Sequence, residues 1–178
     1  MLSRFFSWLG GKQEAAQEAA LQGNTGGTQY APGTQVSYDP MLITRFKGHH
    51  GSLLSIFGTI STSAASHDYP GVMDALQRFQ RVLNEHLLEE NLRLYTYLSK
   101  CLSGNEDSAL LINQMRREMS EIGRTVTQFL RHYITSEVDG RNIDEFTEKL
   151  QGIGSALQDR ISREENSLYT LYMPVADY

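Results

Sequence analysis

The stretch Leu76-Gln77-Arg78-Phe79-Gln80-Arg81-Val82-Leu83-Asn84-Glu85-His86-Leu87-Leu88-Glu89-Glu90-Asn91-Leu92-Arg93-Leu94-Tyr95-Thr96-Tyr97 decides the fold. Leu76, Phe79, Leu83, His86, Glu90, Leu94 and Tyr97 follow one another at steps of three and four. That period is one face of an α-helix turned toward other helices. Three more rows repeat it: Ile43, Phe46, His50, Leu53, Phe57 and Ile60; then Leu111, Met115, Met119, Ile122, Val126, Phe129 and Tyr133; then Phe146, Leu150, Ile153, Leu157, Arg160, Glu164, Leu168 and Leu171. No strand alternation of useful length competes with them.

Turn and cap residues separate the rows. Asp39-Pro40 suits the start of the first helix, which should fade in the Ser/Thr/Ala run Ser61–Ser66. Asp68-Tyr69-Pro70 restarts a helix, and Gly104 ends it. A third helix is predicted from near Ser108. Asp139-Gly140 makes a turn, and Asn142 with Glu145 resembles a capping pair at the fourth. Short connections favour antiparallel neighbours. The expectation is an all-α chain: an antiparallel up-down-up-down four-helix bundle over residues 39–173, a short tail over 174–178, and a separate N-terminal region over 1–38.

Within that region, Gly10 to Ser37 is rich in Gly, Thr, Gln and Ala without an apolar period, which reads as a flexible linker. Ahead of it, Leu2, Phe5, Phe6 and Leu9 share one helical face beside Trp8, with Arg4 and Lys12 nearby. Met1–Leu9 therefore reads either as a small anchor for a membrane surface or partner groove, or as a terminus folded back on the domain.

At 178 residues the chain fits one domain with an appended tail, and its formal net charge of -5 argues against nucleic-acid binding. Cys101 is the one cysteine, so no internal disulfide is possible. With no secretory signal and no membrane span in the pattern, a cytoplasmic location is expected, extending to the inner-membrane periphery if Met1–Leu9 anchors the chain. No Ser/His/Asp or Cys/His arrangement and no phosphate loop is placed by spacing, so an enzyme is not expected and no substrate is identified.

What interrupts the apolar rows is more informative than the rows. His50 lies on the first, His86 and Glu90 on the second four apart, Arg160 and Glu164 on the fourth four apart. Helix midpoints near His50, His86, Ile122 and Leu157 put these groups in one central layer. Buried charge is costly unless paired or metal-bound. Two accounts follow. In one, His50, His86, Glu90 and Glu164 ligate a metal. In the other, Arg160 pairs with Glu90 and Glu164, and the histidines join that network.

Arg45-Phe46-Lys47-Gly48-His49-His50-Gly51-Ser52-Leu53-Leu54, Glu85-His86-Leu87-Leu88-Glu89-Glu90-Asn91 and Arg163-Glu164-Glu165-Asn166-Ser167-Leu168-Tyr169 resemble the motifs of hemerythrin-like (HHE cation-binding) domains. The resemblance covers roughly residues 39–173. It implies a bundle that binds non-heme iron, often a di-iron pair, and senses or carries oxygen or responds to nitric oxide and iron. Carried over, the ligands are His50, His86, Glu90 and Glu164. The third-helix histidine position falls near Met119, and Arg160 stands where the fourth-helix histidine belongs. A full five-histidine di-iron site is therefore not expected, and a mononuclear or partial di-iron iron site is the implied cofactor, against a metal-free alternative.

A second stretch, Phe146-Thr147-Glu148-Lys149-Leu150-Gln151-Gly152-Ile153-Gly154-Ser155-Ala156-Leu157-Gln158-Asp159-Arg160, resembles the last helix of bacterial anti-sigma factors of the regulator-of-sigma-D family. It implies a metal-free interaction module whose partner is a sigma factor; an adaptor bound to an envelope-associated protein is the other form of that reading. Among the remaining polar residues, His49, Glu89 and Glu165 read as flanking or solvated. Tyr95, Tyr97, Tyr169 and Tyr172 read as core residues or as the lining of a small pocket.

Overall fold

Four long helices carry the apolar rows in the computed structural model, which describes residues 29–178. Met1–Leu9 and the expected linker as far as Thr28 lie outside the described residues. Helix α1 spans Leu42–Ala65, and α2 spans Tyr69–Glu89. The chain of α2 runs on without a break through a π-helical stretch, Glu90–Tyr95, into a last α-helical piece, Thr96–Cys101. Helix α3 spans Glu106–Ser136. Helix α4 spans Ile143–Arg163 and is likewise continued by a π-helical stretch, Glu164–Leu168.

Several ends differ from the sequence expectation. Asp39 sits one turn ahead of α1: its Oδ1 accepts from the Met41 N–H at 2.9 Å, and the helix begins at Leu42. The Ser/Thr run does not weaken α1. Ser61 Oγ donates to the Phe57 carbonyl at 3.1 Å and Thr62 Oγ1 to the Gly58 carbonyl at 2.9 Å, so these hydroxyls fold back onto the preceding turn and the helix reaches Ala65. Asp68 caps α2 by accepting from the Gly71 N–H at 3.1 Å. Asn105 caps α3 through the Ser108 N–H at 2.9 Å, so α3 starts two residues before Ser108. Asn142 precedes α4 but makes no side-chain cap. Its amide turns back into the loop, accepting from the Asp139 N–H and donating to the Glu137 carbonyl.

The last part of the expected linker is ordered against the bundle. Ala31 N–H donates to the Val36 carbonyl at 2.8 Å and Tyr38 N–H to the Gln29 carbonyl at 3.0 Å, closing a turn whose Ala31 is buried. Tyr38 stacks on Tyr172 with ring centroids 5.0 Å apart. Residues 174–178 fold back through the Tyr178 hydroxyl, which donates to the Leu171 carbonyl at 2.6 Å.

The interior has two apolar clusters. One gathers Leu53, Ile60, Leu76, Phe79, Leu83, Val126, Phe129, Leu150 and Leu157. The other gathers Leu42, Phe46, Leu94, Tyr95, Met115, Leu168 and Tyr169 with the Ala31 turn. Three of the helical chains pass from one cluster to the other through a buried ionisable residue: α1 at His50, α2 at His86 and Glu90, α4 at Arg160 and Glu164. Helix α3 passes through the same level with buried Met119.

Candidate metal centre

Three of the four rows deliver a polar residue to one level between the two apolar clusters. His50, His86, Glu90, Arg160 and Glu164 are the buried polar and charged residues among those described, none more than 2% exposed. His50, His86 and Glu164 each offer a ligand atom within 4.8 Å of the other two. The His50 and His86 rings meet edge-on with centroids 4.9 Å apart. Glu90 lies in the same layer, outside that three-residue group.

Glu164 is shared. Its Oε2 lies 3.1 Å from His50 Nε2, and its Oε1 accepts from Arg160 Nε at 2.5 Å. Arg160 Nη2 donates to the Tyr95 hydroxyl at 2.5 Å, and Arg160 Nη1 lies 3.7 Å from Glu118 Oε2 on α3. The other His50 nitrogen, Nδ1, is 2.9 Å from Glu165 Oε1, and the Tyr169 hydroxyl is 3.3 Å from His50 Nε2. Five buried atoms in or beside this layer have no hydrogen-bond partner among the described residues: His49 Nδ1, His86 Nδ1, Arg160 Nη1 and both carboxyl oxygens of Glu90.

These contacts set the protonation states. Burial works against a charged His50, but hydrogen bonds and the charge of Glu164 and Glu165 outweigh it and raise its pKa. Burial lowers His86 to about 4, with His50, His49 and Arg160 adding to the shift against the pull of Glu164. Burial and the neighbouring Glu164 carboxylate push Glu90 well above the carboxylate range, against the opposing pull of Arg160. Glu164 goes the other way: burial would raise it, but its hydrogen bond to His50 and the Arg160 charge hold it below. The layer is thus a neutral imidazole, an imidazole held by two carboxylates, a firmly ionised Glu164, and a Glu90 that favours its proton.

The donor set suits a cation. Two imidazoles and a carboxylate are the ligands used for non-heme iron with open positions. Two donors about 2.1 Å from one ion and at right angles lie roughly 3 Å apart, close to the His50–Glu164 separation. The Glu165 contact at Nδ1 fixes the His50 ring and leaves Nε2 to face inward, the outer-shell support expected of a ligating histidine. The orphaned His86 nitrogen and Glu90 oxygens are polar atoms for which the protein itself supplies no partner. Beside His86 is a cavity of ≈ 20 Å³, its lining including His50, His86, Met119, Arg160 and Glu164. That is room for about one water-sized ligand.

Sequence periodicity brings His50, His86, Glu90, Arg160 and Glu164 into one layer, but it passes over four residues that act there. Glu165 reads as solvated, yet it anchors His50. Tyr95 and Tyr169 stand off the apolar rows, yet both are buried with hydroxyls on Arg160 and His50. Glu118 reaches Arg160 from α3 and also accepts from Arg163 Nη1 at 2.6 Å. His49, expected as a flank, is half-buried, with its ring 5.8 Å from that of His86.

Residues 41–172 match the family model of the hemerythrin HHE cation-binding domain, and the chain belongs to that family. No curated protein and no solved structure matches the chain. Nothing in these comparisons supports the anti-sigma-factor resemblance.

Proposed function

We propose, from that membership, that this protein binds iron in the polar layer of its bundle and acts as a sensing or regulatory protein rather than an enzyme. The observation that carries the reading is the buried convergence of His50, His86 and Glu164 from three separate helical chains. His86 supplies a neutral nitrogen, Glu164 an anionic oxygen, and His50 and Glu90 two further donors once their protons leave. Iron bound there would supply a redox-active Lewis acid next to the small cavity. Glu165 orients His50, while the Phe46 and Tyr169 rings help to keep the layer dry. No helix among the described residues is long and apolar enough to cross a membrane. A cytoplasmic setting, with Met1–Leu9 as a weak anchor or partner contact, completes the proposal.

Iron per chain after purification from iron-replete medium tests it. Stoichiometric iron in the natural chain and little in His86→Ala is the expected result. A chain that stays metal-free, and whose stability is indifferent to both Fe(II) and chelator, counts against it.

The Arg160–Glu164 bond favours a second reading, a metal-free interaction module held together by its buried ion pair. Its partner would be a protein, with a sigma factor or an envelope-associated protein the first to try by pull-down. Here Arg160→Leu should destabilise the fold by about 3–5 kcal/mol, because Glu164 loses its partner while buried. Denaturant unfolding of that variant at its natural stability would remove this reading.

A further inference from the structure

We infer that the Arg160 guanidinium is a built-in cation standing where a second metal ion would otherwise sit, so that this centre takes one ion per chain and no more. The inference rests on the metal reading above. Its own support is how the guanidinium is surrounded. Arg160 is buried, and acidic groups reach it from three helical chains: Glu164 Oε1 at 2.5 Å on its own, Glu118 Oε2 at 3.7 Å from α3, and the unpartnered Glu90 carboxyl in the continuation of α2. Glu90 acts on it through charge alone. The Tyr95 oxygen closes the set at 2.5 Å. Glu164, Glu90 and the Tyr95 phenol, with Glu118 divided between Arg160 and Arg163, gather about the guanidinium the hard oxygen donors that a metal ion uses, while Arg160 Nη1 itself finds no hydrogen-bond partner.

Glu164 links this position to the histidine pair. One of its oxygens holds Arg160 and the other faces His50 Nε2, as a carboxylate does when it bridges two cations. The two positions differ in kind. Two imidazoles, each with a lone pair to give once deprotonated, face the first and leave it open to a metal. The second is filled by a cation that does not titrate and offers no lone pair. A second ion would have to share Glu164 with a fixed positive charge in a dry interior, where such repulsion is little screened. Arg160 thereby does two things: it neutralises acids left without metal, and it fixes the stoichiometry.

The test loads the full chain with Fe(II) under anaerobic conditions, removes free metal, and counts ions per chain by elemental analysis and native mass spectrometry. The natural chain should hold one ion. Arg160→His, which replaces the cation with a neutral nitrogen donor, should hold two, and so should Arg160→Gln, with the second ion bound more weakly. Arg160→Lys keeps the charge and should hold one. Two ions in the natural chain overturn the inference. So does a single ion in both Arg160→His and Arg160→Gln when circular dichroism shows them folded. Should these variants be unfolded without metal, excess Fe(II) is expected to restore their helix content by filling the vacated position; failure to do so also overturns it. No ion in the natural chain sinks the metal reading itself, whereas one ion in every variant sinks only the present inference.

Discussion

His50 and His86 lie edge to edge, yet their surroundings drive them in opposite directions. His50 gains two carboxylates and holds its proton above pH 6.5, so its contribution to stability is complete below that pH and is lost as pH rises through its folded pKa. His86 gains none and is neutral until about pH 4. Unfolded, it takes a proton near 6.5, so between about 6.5 and 4 the unfolded chain binds more protons and stability falls as pH falls. The size of that shift corresponds to about 3 kcal/mol across the window. Glu164, held low by His50 and Arg160, adds a further loss only once pH drops below about 4.5. Glu90, pushed well above the carboxylate range, works the other way and gains stability for the fold as pH falls toward 4.5, so in urea unfolding of chelator-treated protein the natural chain should decline relative to His86→Leu between pH 6.5 and 4. An equal decline in the variant would mean that His86 is hydrated or paired in the metal-free protein.

The two π-helical stretches explain why periodicity gave the layer but not all its members. Each begins with a buried acid, Glu90 or Glu164, and ends with or is followed at once by a buried tyrosine five residues on, Tyr95 or Tyr169. An α-helix aligns residues three and four apart, whereas a π turn carries one residue more and brings a partner five apart inward. Rows drawn with α spacing hold through Tyr97 and Leu168, which are buried, but they leave out Tyr95 and Tyr169, which the π turns also bring inward. Beyond Leu168 the fourth row fails, since Leu171 is only partly buried. Nothing in the residue types of Glu90–Tyr95 distinguishes π from α, since the widening is settled by what the tyrosines meet across the bundle. Glu165 was hidden for a related reason, being one position from a row residue and useful only because His50 presents a second nitrogen to it. By contrast, the caps at Asp68 and the apolar rows below the layer were legible, because local hydrogen bonds and burial of regular α-helices decide them. The α1–α4 crossing also depends on a detail of one position. A Cβ on Gly154 would fall 2.6 Å from Phe57 Cζ, so the two helices pass closely only where α4 has no side chain. Gly154→Val should cost about 1–3 kcal/mol in denaturant unfolding by displacing the Phe57 ring. In a Phe57→Ala background the same change should cost much less, and an undiminished cost would place the strain elsewhere.

Taken whole, the molecule is two apolar cores joined across a polar plane, and under the proposed function that plane is where folding and metal binding are coupled. The unfolded chain has no preformed cluster of His50, His86 and Glu164, which come from positions far apart in sequence. An ion that binds only the folded form stabilises it by mass action, by about 4 kcal/mol when free metal is a thousandfold above Kd. For a chain of this size each kcal/mol moves Tm by roughly 2–4 °C, so saturating Fe(II) should raise Tm by on the order of 10 °C and chelator should reverse the gain. The dependence must also be logarithmic in free metal, which separates binding at one folded site from general effects of salt. Acid should weaken it, since protons compete with metal for His50 and for the Glu90 carboxyl. His86→Ala should keep the bundle, because the apolar clusters on either side remain, while its Tm ceases to respond to Fe(II). A natural chain and a His86→Ala variant that respond alike would place the metal outside the polar plane and detach iron from the architecture built around it.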